Sequence, residues 1–464
     1  MPRLDAEFVA RALDTAAVGA PPDGPFTGVS TDSRRVEPGQ LFVALEGPRF
    51  DGHDFVAAAL EAGAAGAVVR RGFSLPERPG ACLFPVADTT RALGDLAAAW
   101  RREHSARVVA VTGSNGKTTT KEMLAAVLGR RHRVLRNRGN FNNHVGLPLT
   151  LLTLSGEHTA VVVEMGMNAP GEIARLTQIA APEVGLVTNV GPAHLGRLGS
   201  LEAIAAAKAE LYQGLGPGDT AVVNADDPLL APWAGRLACR VVTFGSGEGA
   251  MVRAGEADYG EAEVRFRLEL PGAAPCPVRL PVPGRHNLMN ALAAAAAAWV
   301  LGLGSEEIAA GLADFAPVPG RFSPRRAPGG YTVIDDTYNA NPASLAAGLE
   351  ALAARREPGR RVLILGDMRE LGPEAPRLHR EAGGQAVAAG CALVWAVGRF
   401  AEEVAAGARA AGLAGARARA FADQRELAAA ARESLRPEDV VLVKGSRSAG
   451  MERVVAALLG EEVD

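Results

Sequence analysis

Lysine is scarce in this chain. Of 49 basic residues only four are lysines (Lys117, Lys121, Lys208 and Lys444), and the other 45 are arginines. A GC-rich coding bias explains the arginine excess, but not why these four positions remain lysine. Lysine offers a compact ammonium, and an amine that can lose its proton when buried. Cysteine is also sparse. Cys82, Cys239, Cys276 and Cys391 stand far apart, with no CxxC and no zinc spacing, so free thiols in a reducing compartment are expected. A basic excess is missing: the net charge is −3, which disfavours nucleic acid and anionic membrane as general partners. Long apolar runs are missing too. The longest, Ala291 to Gly304, is alanine-rich and too short to span a bilayer. The first residues, MPRLDAEFVARALD, include acids and do not read as a signal peptide. A cytoplasmic protein without membrane insertion is the expectation.

What is present is a globular composition, 48% hydrophobic and 22% charged. The 464 residues give a prior of roughly three domains at about 150 residues each. Residues 1–86 read as a small α/β unit, with an amphipathic helix around Phe8, Val9 and Leu13 and strands at Leu41–Leu45 and Ala67–Val69. Residues 87–316 alternate apolar strands with helices: Val108–Val111, Ala160–Val163, Gly185–Thr188 and Thr220–Val223. Short apolar runs separated by helices predict a parallel sheet covered on both faces. Residues 244–283 alternate instead and predict an antiparallel hairpin on the domain edge. Beyond the break at Pro317-Val318-Pro319-Gly320, residues 317–464 place strands at Thr332–Ile334, Val362–Leu365, Leu393–Val397 and Val440–Val443. That pattern is a second, Rossmann-like α/β domain.

The strongest local signal is a strand, Val108–Val111, running into Thr112-Gly113-Ser114-Asn115-Gly116-Lys117-Thr118-Thr119 and then a helix. Backbone N–H groups at such a helix start can wrap phosphate oxygens. Lys117 would reach the β/γ-phosphates, and the Thr118 hydroxyl would face Mg²⁺. Val111 stands where the longest form of this motif has its first glycine, so the loop is a shortened GxxGKT. Glu164 closes the strand Val161–Val163, where an acid can hold Mg²⁺ or be a surface carboxylate. Lys208 falls on the apolar stripe Leu201, Ile204, Leu211, Leu215 of a predicted helix. It either snorkels from the stripe's edge or is desolvated and neutral. A neutral amine can add CO₂ and become a carbamate, an anionic oxygen donor suited to Mg²⁺. Asn287, near a helix start, is a cap or a reader of an adenine edge. Arg321 is a linker residue or a cation that clamps phosphate on closure. Lys121, one turn past Lys117, reads as a solvated helix position or a weak phosphate attractor.

These segments together resemble the Mur ligase family, enzymes that form amide bonds at the expense of ATP. The resemblance is carried by TDSR from Thr31, TGSNGKTTT from Thr112, NFNNHVGLP from Asn140 and VVVEMGMN from Val161. It continues through TNVGPAHL from Thr188, AKAEL from Ala207, GRHNLMNALAA from Gly284 and PGRF from Pro319. DDTYNANP from Asp335, LGDMRELG from Leu365 and KGSRSAGME from Lys444 complete it. DDTYNANP together with LGDMRELG is similar to the branch that adds D-alanyl-D-alanine to UDP-N-acetylmuramoyl-tripeptide. The sister branch adding the third amino acid often carries Asp-Asn-Pro-Arg, a string absent here. Outside the family, the alternative is a P-loop NTPase switch or a non-catalytic UDP-sugar-binding protein.

The resemblance implies roles at the matching positions. Thr112, Gly113, Ser114, Asn115, Gly116, Lys117, Thr118 and Thr119 would hold ATP phosphates. Asn287 would read adenine, and Arg321 and Asp336 would reach ATP from the last domain. Glu164, His194 and a carbamylated Lys208 would hold one Mg²⁺, and Thr118 another. Thr31, Asp32, Ser33 and Arg34 would lie near the UDP group. Asn140, Asn142, Asn143, Gly146, Thr188 and Asn189 would line the muramyl-peptide path. Lys444, Ser446 and Arg447 would sit near the incoming dipeptide. A monomer is expected.

Overall fold

The structure is a computed structural model. It describes residues 3–48, 50–75, 81–192, 195–356 and 358–461. Three sheets follow one another along the chain. The first is wholly parallel, in the order β1 (Val29–Ser30), β2 (Leu41–Val43), β3 (Gly66–Arg70), β4 (Leu83–Val86). The helix Ala6–Ala12, capped by the Asp5 carboxylate, packs the Phe8 ring edge-on against Trp100 at 5.7 Å. Trp100 belongs to the helix Thr89–Arg102. That helix shares one apolar core with both the first sheet and the second.

The second sheet has nine strands: β5 (Arg107–Thr112), β6 (Val134–Arg136), β7 (Ala160–Glu164), β8 (Val184–Val187), β9 (Thr220–Asn224), β10 (Arg240–Gly245), β11 (Val252–Tyr259), β12 (Val264–Glu269) and β13 (Cys276–Leu280). Their spatial order is β13-β12-β11-β10-β9-β8-β5-β7-β6. From β6 through β10 every pairing is parallel, and the strands that form the middle are buried on both faces. This is why they read as continuous apolar runs. The chain leaves β5 toward β6 and β7 on one side, then returns to β8 and β9 on the other. That reversal leaves a crevice at the carboxyl end of β5, where open α/β sheets place ligands. The expected edge hairpin is a three-strand antiparallel meander, β11-β12-β13. One face of the sheet is covered by the helix Lys117–Leu128 and the alanine-rich helix Arg285–Val300. Ala291 through Ala298 are fully buried, because side chains this small let the helix approach its neighbours closely.

The third sheet runs β14 (Ser323–Arg326), β15 (Thr332–Asp336), then β19 (Val440–Lys444), β16 (Arg361–Gly366), β17 (Cys391–Val397) and β18 (Ala418–Phe421). Only β14 is antiparallel. No helix among the described residues is long and apolar enough to cross a membrane.

Two expectations about lysine surroundings change. The helix Leu201–Gln213 buries Ile204, Lys208 and Leu211 but leaves Leu201 38% exposed, so the apolar stripe starts one turn later than its spacing suggests. Lys121 is not solvated: it is 0% exposed, sealed between its helix and the chain after β6.

Candidate active site

At the carboxyl end of β5 the chain turns sharply into a helix. Gly113 (φ +148°) and Gly116 (φ +80°) make the turn possible. A Cβ on Gly113 would stand 1.9 Å from Thr188 Oγ1, and one on Gly116 2.2 Å from Asn290 Oδ1. The loop is held from the β8 side: Ser114 N–H donates to Asn189 O at 2.9 Å, and Asn115 N–H to Asn189 Oδ1 at 3.0 Å. Thr188 Oγ1 donates to Asn115 O at 2.6 Å. Lys117 folds over the loop, its Nζ 2.7 Å from Gly113 O and 3.3 Å from Ser114 O. Burial holds its pKa below the ordinary lysine value, with Glu164 opposing and Arg321 reinforcing the shift. Thr112 is interior, its hydroxyl donating to Met165 O at 2.8 Å.

Glu164 ends β7 beside this loop and is 2% exposed. Its Oε2 accepts from Thr118 Oγ1 at 2.8 Å and its Oε1 from Asn142 Nδ2 at 2.8 Å. Arg321, from the last third of the chain, donates through Nη2 to the same Thr118 hydroxyl at 2.8 Å. Its guanidinium stacks 3.9 Å above the Tyr338 ring, and its buried Nε has no partner. The unpartnered N–H, on a cation beside a phosphate-type loop, fits an incoming anion. Thr118 and Glu164 offer hard oxygen donors of the kind Mg²⁺ takes.

Lys208 lines the same cleft and is 2% exposed. Desolvation drives its pKa well below the ordinary lysine value, and the Lys117 charge adds to the shift. No described residue forms an ion pair or hydrogen bond with its Nζ. An amine that burial pushes toward its neutral form meets the chemical requirement for carbamate formation. His194 lies outside the described residues.

The cleft has a volume of about 1000 Å³ and is walled by both larger sheets. From the third sheet, Asp336 and Lys444 stand at the ends of adjacent strands, β15 and β19, in direct register. Lys444 Nζ lies 2.5 Å from Asp336 Oδ2 and 3.0 Å from Asn339 O. Asp336 is thus neutralised within its own domain, and the two charges form one unit of the wall. Asn341 Nδ2 donates to Asn115 Oδ1 at 2.8 Å, tying the third domain to the phosphate-type loop. His286 also faces the cleft; burial pulls its pKa down to about 4, with Asp336 opposing and Lys444 assisting.

Of the expected substrate positions, Asn140, Asn142, Asn143, Thr188, Asn189, Lys444 and Arg447 line this cleft. Gly146 does not. It begins the helix Gly146–Leu151, and its Cβ position is closed by Phe141 Cα at 2.3 Å. Ser446 is buried, its hydroxyl accepting from Arg369 N–H at 2.8 Å and donating to Ala340 O at 3.3 Å. Thr31, Asp32, Ser33 and Arg34 form a separate turn in the first sheet's domain and do not reach the cleft. There Asp32 caps the turn and pairs with an exposed Arg34 at 2.9 Å.

Asn287 is not the helix cap, because Gly284 occupies that position. Its Nδ2 donates to Pro283 O at 2.8 Å, and Asn290 Nδ2 donates to its Oδ1 at 3.3 Å. Asn290 was missed from the sequence. It seats Gly116 and accepts from Thr120 Oγ1 at 3.3 Å. The three-residue spacing from Asn287 in GRHNLMN put both on one helix face and was the available signal. Tyr338, the ring beneath Arg321, was also missed.

Three family descriptions match the chain in order. They are "Mur ligase family, catalytic domain" over residues 25–101, "Mur ligase middle domain" over 111–298, and "Mur ligase, glutamate ligase domain" over 320–447. The Escherichia coli (strain K12) UDP-N-acetylmuramoyl-tripeptide--D-alanyl-D-alanine ligase is 41% identical over 441 residues, covering 93% of each chain. A crystal structure of MurF from Acinetobacter baumannii superimposes with a TM-score of 0.90 at 35% identity, covering 99% of this chain and 100% of that one. MurF ligase from Thermotoga maritima in complex with ADP superimposes with a TM-score of 0.83 at 32% identity, covering 94% and 97%. The chain belongs to the Mur ligase family.

Proposed function

We propose that this protein is an ATP-dependent ligase that joins D-alanyl-D-alanine to UDP-N-acetylmuramoyl-tripeptide, a step in making peptidoglycan precursor. The observation that carries the reading is the meeting of Lys117, Thr118 and Glu164 with Arg321 in one cleft, supplied by two different sheets. Relatives with that printed activity cover nearly the whole chain.

An amine cannot readily displace hydroxide from a carboxylate. The tripeptide carboxylate therefore attacks the γ-phosphorus of ATP, the bond to the β-phosphate oxygen breaks, and ADP and an acyl phosphate form. The D-alanyl-D-alanine amine then attacks the acyl carbon and loses a proton. The C–O bond breaks and inorganic phosphate leaves. Lys117 and Arg321 stabilise the negative charge that accumulates on the transferring group. Thr118, Glu164, His194 and a carbamylated Lys208 would hold Mg²⁺, two ions in all, which supplies charge neutralisation at the phosphates. In the carbamate, the neutral Lys208 amine adds to CO₂ and releases one proton. Asn287 and Asp336 would serve the nucleotide, the second indirectly through its pairing with Lys444. The 31–34 turn would serve the UDP group.

Three units of 1–86, 87–316 and 317–464, one for each substrate, fit a reaction whose intermediate must be shielded from water. A monomer in the cytoplasm completes the reading. The test is an omission assay. Sustained ADP release should require both the UDP-muramyl-tripeptide and D-alanyl-D-alanine, and rapid ATP turnover without them would favour an NTPase switch instead.

A further inference from the structure

We propose that Lys121 is a positioning residue for the Glu164 carboxylate, acting through Asn137. Burying an ammonium is costly, so a lysine with no exposed surface calls for a compensating role. Lys121 Nζ donates to the main-chain carbonyl of Asn137 at 2.6 Å and lies 3.0 Å from Glu122 Oε1. Asn137 is itself 1% exposed. Its side chain brackets the backbone of Glu164: Oδ1 accepts from Glu164 N–H at 2.9 Å, and Nδ2 donates to Glu164 O at 3.0 Å.

The last backbone pair between β6 and β7 is Arg136 with Val162. Beyond it the Asn137 amide takes over the work of the missing strand, and does so at the residue whose carboxylate enters the cleft. The same Nδ2 also donates to Phe141 O at 2.9 Å, which fixes the loop carrying Asn142. Asn142 in turn donates to Glu164 Oε1. Glu164 is therefore held at its N, O and Oε1 by one short segment, and Lys121 anchors the start of that segment to the phosphate-loop helix. A linear stem with a compact head suits this narrow space, in a chain that otherwise uses arginine.

This inference rests on the proposed role of Glu164 as a metal ligand. The test uses the full chain with Lys121→Met, which keeps the stem and removes the donor, and with Asn137→Ala. Mn²⁺ binding in the presence of ADP is followed by the EPR signal of free Mn²⁺, and kcat is measured against Mg²⁺ concentration. Removing outer support of a metal ligand typically weakens metal affinity about 10- to 100-fold. Both variants should show Mn²⁺ affinity reduced about tenfold or more, a parallel rise in the Mg²⁺ needed, and recovery of kcat at high Mg²⁺. A purely structural role would lower stability without moving the metal dependence. Folded variants, by near-ultraviolet circular dichroism, with unchanged Mn²⁺ affinity would overturn the proposal. If Lys121→Met does not fold, Asn137→Ala decides by the same two outcomes. Wild-type protein that fails to bind Mn²⁺ with ADP would instead overturn the metal role of Glu164 itself.

Discussion

Replacing Lys208 with alanine separates stability from activity. The substitution removes three buried methylenes, worth about 0.8 kcal/mol each, so roughly 2 kcal/mol of apolar burial is lost. It also removes an amine whose charged form is penalised by desolvation, and relief of that penalty returns about 1–3 kcal/mol. The two effects nearly cancel, and the melting temperature should move by only a few degrees. Activity should not survive in the same way. Losing one group that stabilises transition-state charge in a closed site costs about 10²–10³ in kcat. Lys208→Ala should therefore stay folded, lose at least that factor in steady-state ligation, and regain part of it with added formate or acetate. Arginine cannot form the carbamate, so Lys208→Arg should be as inactive and should not respond. The assay is phosphate release coupled to product detection, in buffers with and without bicarbonate. Full activity of plain Lys208→Ala would refute the carbamate.

Gly116→Ala forces a side chain into a left-handed backbone position and to within 2.2 Å of Asn290 Oδ1. The strain of about 1–3 kcal/mol should appear as an ADP affinity weakened about 5- to 150-fold by calorimetry, and unchanged affinity would remove the loop from nucleotide binding. His286 has a folded pKa of about 4 against 6.5 when unfolded. The unfolded chain therefore binds the extra proton, and stability falls as pH drops from 6.5 toward 4, by at most about 3 kcal/mol. Chemical denaturation across that window should show the slope, and His286→Phe should flatten it.

The second and third sheets were largely legible in the sequence, because β5, β7, β8, β9, β16, β17 and β19 are apolar runs buried on both faces. Short strands such as β1, β6 and β18 carry too few residues for a pattern, and their pairing is set by neighbours distant in sequence. The phosphate-type loop was legible for a local reason: strand, glycines, lysine and helix are contiguous. The place of Lys208 on an apolar stripe was legible from Ile204 and Leu211 on its own helix, but its burial was not, because a lysine at the edge of such a stripe can equally snorkel to solvent. That of Lys121 was not, since the chain that covers it, residue 137, belongs to a different segment. The Asp336–Lys444 pair needed the adjacency of β15 and β19, which are 108 residues apart in sequence. The stacking of Arg321 on Tyr338 likewise exists only after the third domain has folded.

In the proposed reaction the cleft activates a carboxylate by phosphorylating it. The direct measurement is oxygen transfer, with ¹⁸O in the terminal carboxylate of the UDP-muramyl-tripeptide and mass analysis of the phosphate released during ligation to D-alanyl-D-alanine. An acyl-phosphate route predicts one ¹⁸O in each phosphate and the other retained in the new amide. Unlabelled phosphate released in step with product would contradict it.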